Sequence, residues 1–223
     1  MGHCSYCSVH YATGKLKSKG IADIVNRLRQ NVSAGDRLIS IRGEDTGCYG
    51  LNTGTNICEL LEKVCEVPGD YKIILHDFNP QWILRYYLRL KEILSCNIDR
   101  FDRITVPLQS GSQRVLEAMN RPYPIDEVTK CLLDYRRTLP TIKLKSHFII
   151  GFPTETDGEF EITKALVTLI RPNLASLHVY ADRKNTPAYI MPQKIDWETK
   201  LRRASELENV CRTVGCSYNT LGI

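Results

Sequence analysis

"IKLKSHFIIGFPTET", residues 142–156, is the longest strand-like run in the chain. Its end, Phe148–Ile150, is continuously apolar, as in a parallel strand buried on both faces. The run breaks at Gly151 and Pro153. A helix with an acidic first turn follows in "TETDGEFEITKALVTLI", stopped by Pro172. A buried strand feeding a helix is half of a βαβ unit, and the same alternation extends in both directions. Upstream, "DRLISIRG", "YKIILHD" and "DRITVPLQS" read as strands. Between and around them, "IADIVNRLRQNV", "TNICELLEKVCEV", "PQWILRYYLRLKEIL", "SQRVLEAM" and "PIDEVTKCLLDYRRTL" carry helical spacing. Downstream come the strand "NLASLHVYA" and the helix "DWETKLRRASELENVC". The prediction is five strands joined by crossovers long enough for right-handed parallel connections. A doubly wound open sheet and an incomplete (β/α) barrel both fit this order.

At 223 residues the chain suits one domain, 1–223, with no repeat or linker. No apolar run approaches a membrane span, and no signal-peptide core opens the sequence, so the expected location is cytoplasmic. Nine cysteines, an odd number scattered among charged helices, do not form a secreted disulfide framework. The net charge of +5 lies wholly in residues 1–43, which hold seven Lys or Arg against two Asp. The basic segment "TGKLKSKG" (residues 13–20) is either a solvated loop or a contact for phosphates.

In either architecture ligands gather at the C-terminal ends of the strands. Polar, glycine-bearing segments fall there: "GEDTGCYG", "QSGS", "GFPTET" and "DRKNTPA". Glu44 offers a carboxylate for an ammonium group, while Asp45 fits a turn cap. Gln109, Ser110 and Ser112 end a strand, with Gly111 permitting close approach and Ser112 suited to cap the next helix. Arg121 is a cation able to grip a carboxylate. Backbone at Ile150–Gly151 can bond the edge of a flat base, and Arg183 lies just past the last strand. Near the N-terminus, Cys4 and Cys7 form a Cys-x2-Cys pair open to zinc, an iron–sulfur cluster, a redox dithiol or plain buried thiols.

Together, "GHCSYC", "DTGCYG" with "GTN", "PLQSGSQRVLEAMNRPY", "FIIGFPTET" and "DRKNTPA" resemble the radical-SAM core of the methylthiotransferases, the MiaB-like RNA-modifying enzymes. The "DTGCYG…GTN" form is similar to the branch acting on threonylcarbamoyl-adenosine in tRNA. The resemblance implies an α/β fold, a partial (β/α)6 TIM-like barrel lacking its first strand. It implies a [4Fe–4S] cluster in a Cys-x3-Cys-x2-Cys loop, with S-adenosylmethionine on the unique iron. Reductive cleavage would give a 5′-deoxyadenosyl radical that abstracts hydrogen on the way to methylthio insertion at a tRNA adenosine. Cys4 and Cys7 become cluster ligands. Glu44, Gln109, Ser110, Arg121, Ile150, Gly151 and Arg183 become cofactor neighbours. The implied partners are tRNA and a reductant such as flavodoxin or ferredoxin.

The family pattern is not matched throughout. Thr154 stands where the family has glycine, Glu44 where it has Gln, and "RKNTPA" where it has "RPGTPA". The N-terminal second-cluster domain and the C-terminal RNA-binding β-barrel are absent from this sequence. In the Cys-x3-Cys-x2-Cys loop, Met1, Gly2 and His3 are the x3, so the first cysteine would precede Met1. His3, His10 and Cys48 are the substitute ligands to consider. The competing readings are a cluster-less barrel that binds only a nucleoside or a partner, and a radical-SAM enzyme with a different reaction. The chain as given is expected to hold no stable cluster. Anaerobic reconstitution that loads about four irons per chain would show otherwise.

Overall fold

The computed structural model describes residues 3–121 and 123–222. Met1, Gly2 and the His10 side chain, which enter the cysteine-spacing argument, lie outside the described residues. The strands are β1 (Leu38–Ile41), β2 (Lys72–Leu75), β3 (Phe101–Gln109), β4 (Lys143–Ile150), β5 (Leu174–Val179) and β6 (Ser217–Leu221). They form one sheet in the order β1-β2-β3-β4-β5-β6. The β1/β2, β2/β3, β4/β5 and β5/β6 pairs run parallel. Strand order follows chain order and the sheet is not closed, which is the partial-barrel arrangement. The helices are α1 (Val9–Thr13), α2 (Ile21–Ser33), α3 (Ile57–Cys65), α4 (Pro80–Cys96), α5 (Gln113–Ala118), α6 (Ile125–Thr138), α7 (Asp157–Ile170) and α8 (Trp197–Thr213). No helix among the described residues is long and apolar enough to cross a membrane.

The sixth strand corrects the sequence reading, which stopped at five. "SYNTL" has no apolar run, and its residues are exposed or half-buried, as on an outer strand. Register with β5, Leu174↔Ser217 through His178↔Leu221, recruits it to the sheet after Gly215 turns the chain at φ 72°.

The chain divides into two compact units. Among the described residues, one spans 15–106 and 131–143; the other spans 3–14, 107–121, 123–130 and 144–222. In the first, Ile57, Leu60, Leu61 and Val64 of α3 and Ile73 and Leu75 of β2 are buried. Asn56 caps α3 by accepting from Cys58 N and Glu59 N. Pro80 opens α4 behind the Asn79 cap. In the second unit, Phe148, Ile150, Leu177, Phe160, Val167, Leu207 and Cys211 are buried. Thr156 and Glu159 close a capping box on α7, which ends where Arg171 turns left-handed before Pro172.

The rim of the first unit depends on Gly47 rather than Gly43. Asp45 caps the turn Thr46–Cys48 through Gly47 N and accepts Trp82 Nε1–H at 2.8 Å. This pulls the indole over Gly47, where a Cβ would stand 2.2 Å from Trp82 Cδ1. At Gly43 the nearest atom to a Cβ is Thr46 Cγ2 at 3.8 Å. Gly47→Ala is therefore expected to cost about 1–3 kcal/mol in urea unfolding, with Gly43→Ala close to neutral. Equal midpoints for the two variants would contradict this packing.

Candidate functional site

In the second unit, the cysteine-bearing turn is fastened at four points. Ser5 N–H donates to Met119 O (3.0 Å) and Ser5 Oγ–H to Ala118 O (2.8 Å), at the carboxyl end of α5. Asn120 Nδ2 donates to His3 O at 2.7 Å. Ala188 N–H, in the turn after "DRKNT", donates to Ser5 O at 2.8 Å. Cys7 N–H closes the turn onto Cys4 O at 3.1 Å. Both thiols are free and half-buried. Helix α1 leaves directly after them.

Arg121 is buried beside this turn. Its Nη1 lies 3.4 Å from Cys4 Sγ, its Nη2 donates to Pro107 O at 2.8 Å, and its Nε contacts Tyr123 Oη at 3.4 Å. Tyr123 Oη donates to Leu108 O at 2.7 Å. The guanidinium thus ties the cysteine turn to the end of β3. Arg121 is no loose surface cation; it is a structural clamp with one arm on a cluster-ligand candidate. Tyr6, between the cysteines, packs edge-on against Phe152 (6.4 Å between centroids), and Phe152 against Tyr180 (5.5 Å). Burial raises the Tyr6 hydroxyl well above its ordinary pKa, so this aromatic wall stays uncharged.

Gln109 ends β3 at φ 69°, in the left-handed region that costs a non-glycine residue strain. Its side chain is buried, and Oε1 has no hydrogen-bond partner. An orphaned amide oxygen on a strained residue is suited to an N–H donor from a ligand. Ser110 is placed differently. Its hydroxyl is fully buried against Thr163 Oγ1 (3.3 Å) and accepts Ser112 N–H (3.1 Å). Gly111 allows close approach of protein rather than ligand: a Cβ there would lie 2.7 Å from Ile162 O of α7. Ser112 caps α5 as expected, accepting from Val115 N.

Gly151 turns the end of β4 at φ 73°, with Ile150 buried before it. Its N–H donates to Glu155 Oε2 at 3.0 Å, and a Cβ would strike Lys200 Cγ at 2.4 Å. Glu155 is buried and meets Arg203 Nη1 at 2.9 Å, leaving Oε1 without a partner. Burial pushes its carboxyl up to about 7, against the opposing pull of Arg203 and the Gly151 N–H. Thr154 holds φ 71°, which accounts for the glycine expected there. It is anchored by donating its N–H to Gln193 O (3.0 Å) and by Arg114 Nη1–H donating to Oγ1 (3.2 Å). Glu159 joins the two rim segments. It accepts from Ser112 Oγ (3.0 Å), Arg114 Nε (2.6 Å) and Thr156 N (2.9 Å).

The structure therefore brings Cys4, Cys7 and Arg121 together, and links them through Tyr6 and Phe152 to the Ile150–Gly151 corner. The Arg183 side chain is exposed, and its carbonyl accepts Thr186 Oγ1–H at 2.7 Å to form the turn that presents Ala188. Glu44 is exposed on the rim of the first unit. Sequence reading missed Ser5, Tyr123, Glu159 and Arg203. Glu159 had a visible signal, the Thr-x-x-Glu spacing of a capping box. The other three become visible only through contacts distant in sequence.

The donor set fits part of an iron–sulfur site: two thiols in one pinned turn, with a cation beside one sulfur. Among the described residues no third His, Cys, Asp or Glu joins them in a ligating group. The Cys48 thiol donates to Asp45 O at 3.0 Å, and burial raises its pKa to about 11.

A family model described as the Radical SAM superfamily matches residues 1–167. The chain is 31% identical over 221 residues to the probable threonylcarbamoyladenosine tRNA methylthiotransferase of Archaeoglobus fulgidus, covering 98% of this chain and 51% of that protein. It is 31% identical over 224 residues to the tRNA-2-methylthio-N(6)-dimethylallyladenosine synthase of Thermotoga petrophila, covering 97% and 49%. The chain thus spans about half the length of the curated relatives it matches. Among solved structures, Streptococcus suis SuiB bound to S-adenosylmethionine superposes with a TM-score of 0.66 at 16% identity, over 99% of this chain and 48% of that one. Coproporphyrinogen III oxidase (HemN) from Escherichia coli gives 0.65 at 17%, over 95% and 50%. At these identities the structural likeness is one of fold.

Glu155 makes stability depend on pH. Unfolded, its carboxyl loses its proton near 4.5; folded, it holds it to about 7. The stabilisation is complete below the lower value and is lost as pH rises through the higher, on the order of 3 kcal/mol in all. Denaturant midpoints at pH 5 and pH 8 should show the decline, and Glu155→Gln should flatten it. An unchanged slope in the variant would count against this reading.

Proposed function

Because this chain belongs to the radical SAM superfamily, we propose that it forms the catalytic core of a tRNA methylthiotransferase acting on an N6-modified adenosine. The family's cofactors are S-adenosylmethionine and a [4Fe–4S] cluster. Bound, they supply one-electron cleavage of the sulfonium and so the means to activate an inert C–H bond. The single observation that carries the reading is the cysteine turn, pinned by Ser5, Asn120 and Ala188 and met by Arg121 at Cys4.

Cys4 and Cys7 would be two of the cluster's ligands. Arg121 fixes the turn and places positive charge beside an anionic centre. The orphaned Gln109 Oε1 would accept from a cofactor N–H, and the backbone of Ile150–Gly151 would border the adenine. Tyr6, Phe152 and Tyr180 would keep water from the reacting atoms. Ser110 supports the loop from behind through Thr163. Glu44 and Arg183, exposed at the strand ends, would face the polar parts of the cofactor or substrate. Lys15, Lys17 and Lys19 are exposed and suited to RNA phosphates, with binding that weakens as salt rises. A cytoplasmic one-electron donor of the flavodoxin or ferredoxin kind would reduce the cluster.

Deleting the gene should remove a methylthiolated adenosine from cellular tRNA, read by mass spectrometry of the nucleosides. The unaltered gene should restore it; Cys4→Ala and Cys7→Ala should not. In binding measurements Gln109→Leu is expected to weaken S-adenosylmethionine by roughly tenfold. An unchanged nucleoside profile in the deletion strain would remove the methylthiotransferase assignment.

A further inference from the structure

Within the second unit, three residues beyond the family match at residues 1–167 tie together two parts of the candidate site. Tyr180 follows β5 and is 5% exposed, yet each of its polar atoms is engaged. Its N–H donates to Ile150 O at 2.9 Å, its carbonyl accepts Lys200 Nζ–H at 3.0 Å, and its hydroxyl donates to Asp182 Oδ1 at 3.0 Å. Its ring stands edge-on to Phe152 and lies within cation–π reach of two ammonium groups, Lys194 at 5.6 Å and Lys200 at 5.3 Å. A lysine ordinarily keeps its ammonium in water, whereas Lys200 is half-buried. Burial, and after it the charge of Lys194, lowers its pKa against the opposing pull of Asp182 and Asp196.

The two lysines reach different parts of the site. Lys200 belongs to α8, and its stem fills the space that Gly151 leaves open, where a Cβ would lie 2.4 Å from Lys200 Cγ. Lys194 pairs with Asp182 and donates to Ala188 O at 2.7 Å. Ala188 N–H donates in turn to Ser5 O, in the cysteine turn, at 2.8 Å. One residue before Lys194, Gln193 O accepts Thr154 N–H at 3.0 Å from the other corner. Residues 180–200 thus form a strap with the Gly151 corner at one end and the cysteine turn at the other. An apolar side chain at position 200 could pack on Gly151 but could not hold Tyr180 O. Lysine supplies an apolar stem and a terminal donor in one residue.

We infer that Lys200, acting through Tyr180 and Lys194, is a positioning residue that sets the spacing between the Gly151 corner and the cysteine turn, and with it the fit of S-adenosylmethionine. The inference rests on the reading that this cofactor spans the two places. A ligand held at both ends responds to any change in their separation, because contacts kept at one end are then lost at the other.

The test reads amide hydrogen exchange of the full chain residue by residue, together with S-adenosylmethionine binding by calorimetry. Lys200→Met keeps the stem and removes the ammonium. It should speed exchange of the Ser5 and Cys7 amides roughly tenfold, while Val167 and Leu207 in the core keep their protection. The same variant should bind S-adenosylmethionine roughly tenfold more weakly, and Lys200→Arg should retain most of both properties. Native exchange at Ser5 and Cys7 in Lys200→Met would overturn the coupling. Faster exchange with native affinity would overturn the positioning role. If Lys200→Met also loses protection at Val167 and Leu207, Lys194→Met takes its place and the same outcomes decide. No affinity in the unsubstituted chain would remove the positioning role, with the coupling still decided by exchange. The exchange readout needs neither cluster nor tRNA, and the nucleoside profile of the deletion strain tests the methylthiotransferase reading, so the two fail separately.

Discussion

The buried guanidinium of Arg121 is the constraint on which the site depends. A cation withdrawn from water must spend its donors on fixed acceptors, and here these are Pro107 O, Tyr123 Oη and Cys4 Sγ. The first two belong to the end of β3 and the residues just after α5; the third belongs to a turn more than a hundred residues earlier in the chain. Satisfying one side chain therefore fixes the cysteine turn against the strand end. Ser5 and Asn120 add bonds between the same turn and the same neighbourhood, so the turn that carries the thiols is fixed by protein hydrogen bonds.

A second layer of buried charge keeps the rim in shape. Glu159 serves the α7 capping box, the α5 cap at Ser112 and the Arg114 fork at once, joining "QSGS" to "GFPTET". Glu155 and Arg203 brace the Gly151 corner from below. Backbone at Gln109, Gly151 and Thr154 lies in the left-handed region, with Gly151 bonded to Glu155 and Thr154 to Arg114. Strain of this kind persists only where the surroundings over-determine it, and it concentrates where a ligand is handled.

The comparisons reach the family and the fold, and the relatives diverge on what decorates the adenosine. That difference is one of charge: a threonylcarbamoyl group ends in a carboxylate, and a dimethylallyl group carries none.

Much of this was legible in the sequence. The apolar end of β4, the Pro and Gly punctuation and the helix caps depend on neighbours in the chain, and they set the parallel α/β order correctly. Cys4, Cys7, Arg121, Gln109 and Gly151 were marked by motif; Arg121 meets Cys4 and the end of β3, where Gln109 lies, and Gly151 adjoins Phe152, against which Tyr6 packs. Strand β6 escaped because its pairing energy comes from β5 and not from its own composition. The close approach that Gly111 permits is that of α7, and the Ser110 hydroxyl lies against Thr163. Local patterning determined which residues are helix, strand and turn, because backbone propensity and periodicity are properties of short segments. Which polar atoms are satisfied, and that Gln109 Oε1 is left without a partner, only the tertiary structure decided, because a hydrogen bond is settled by distance in space and not by separation along the chain.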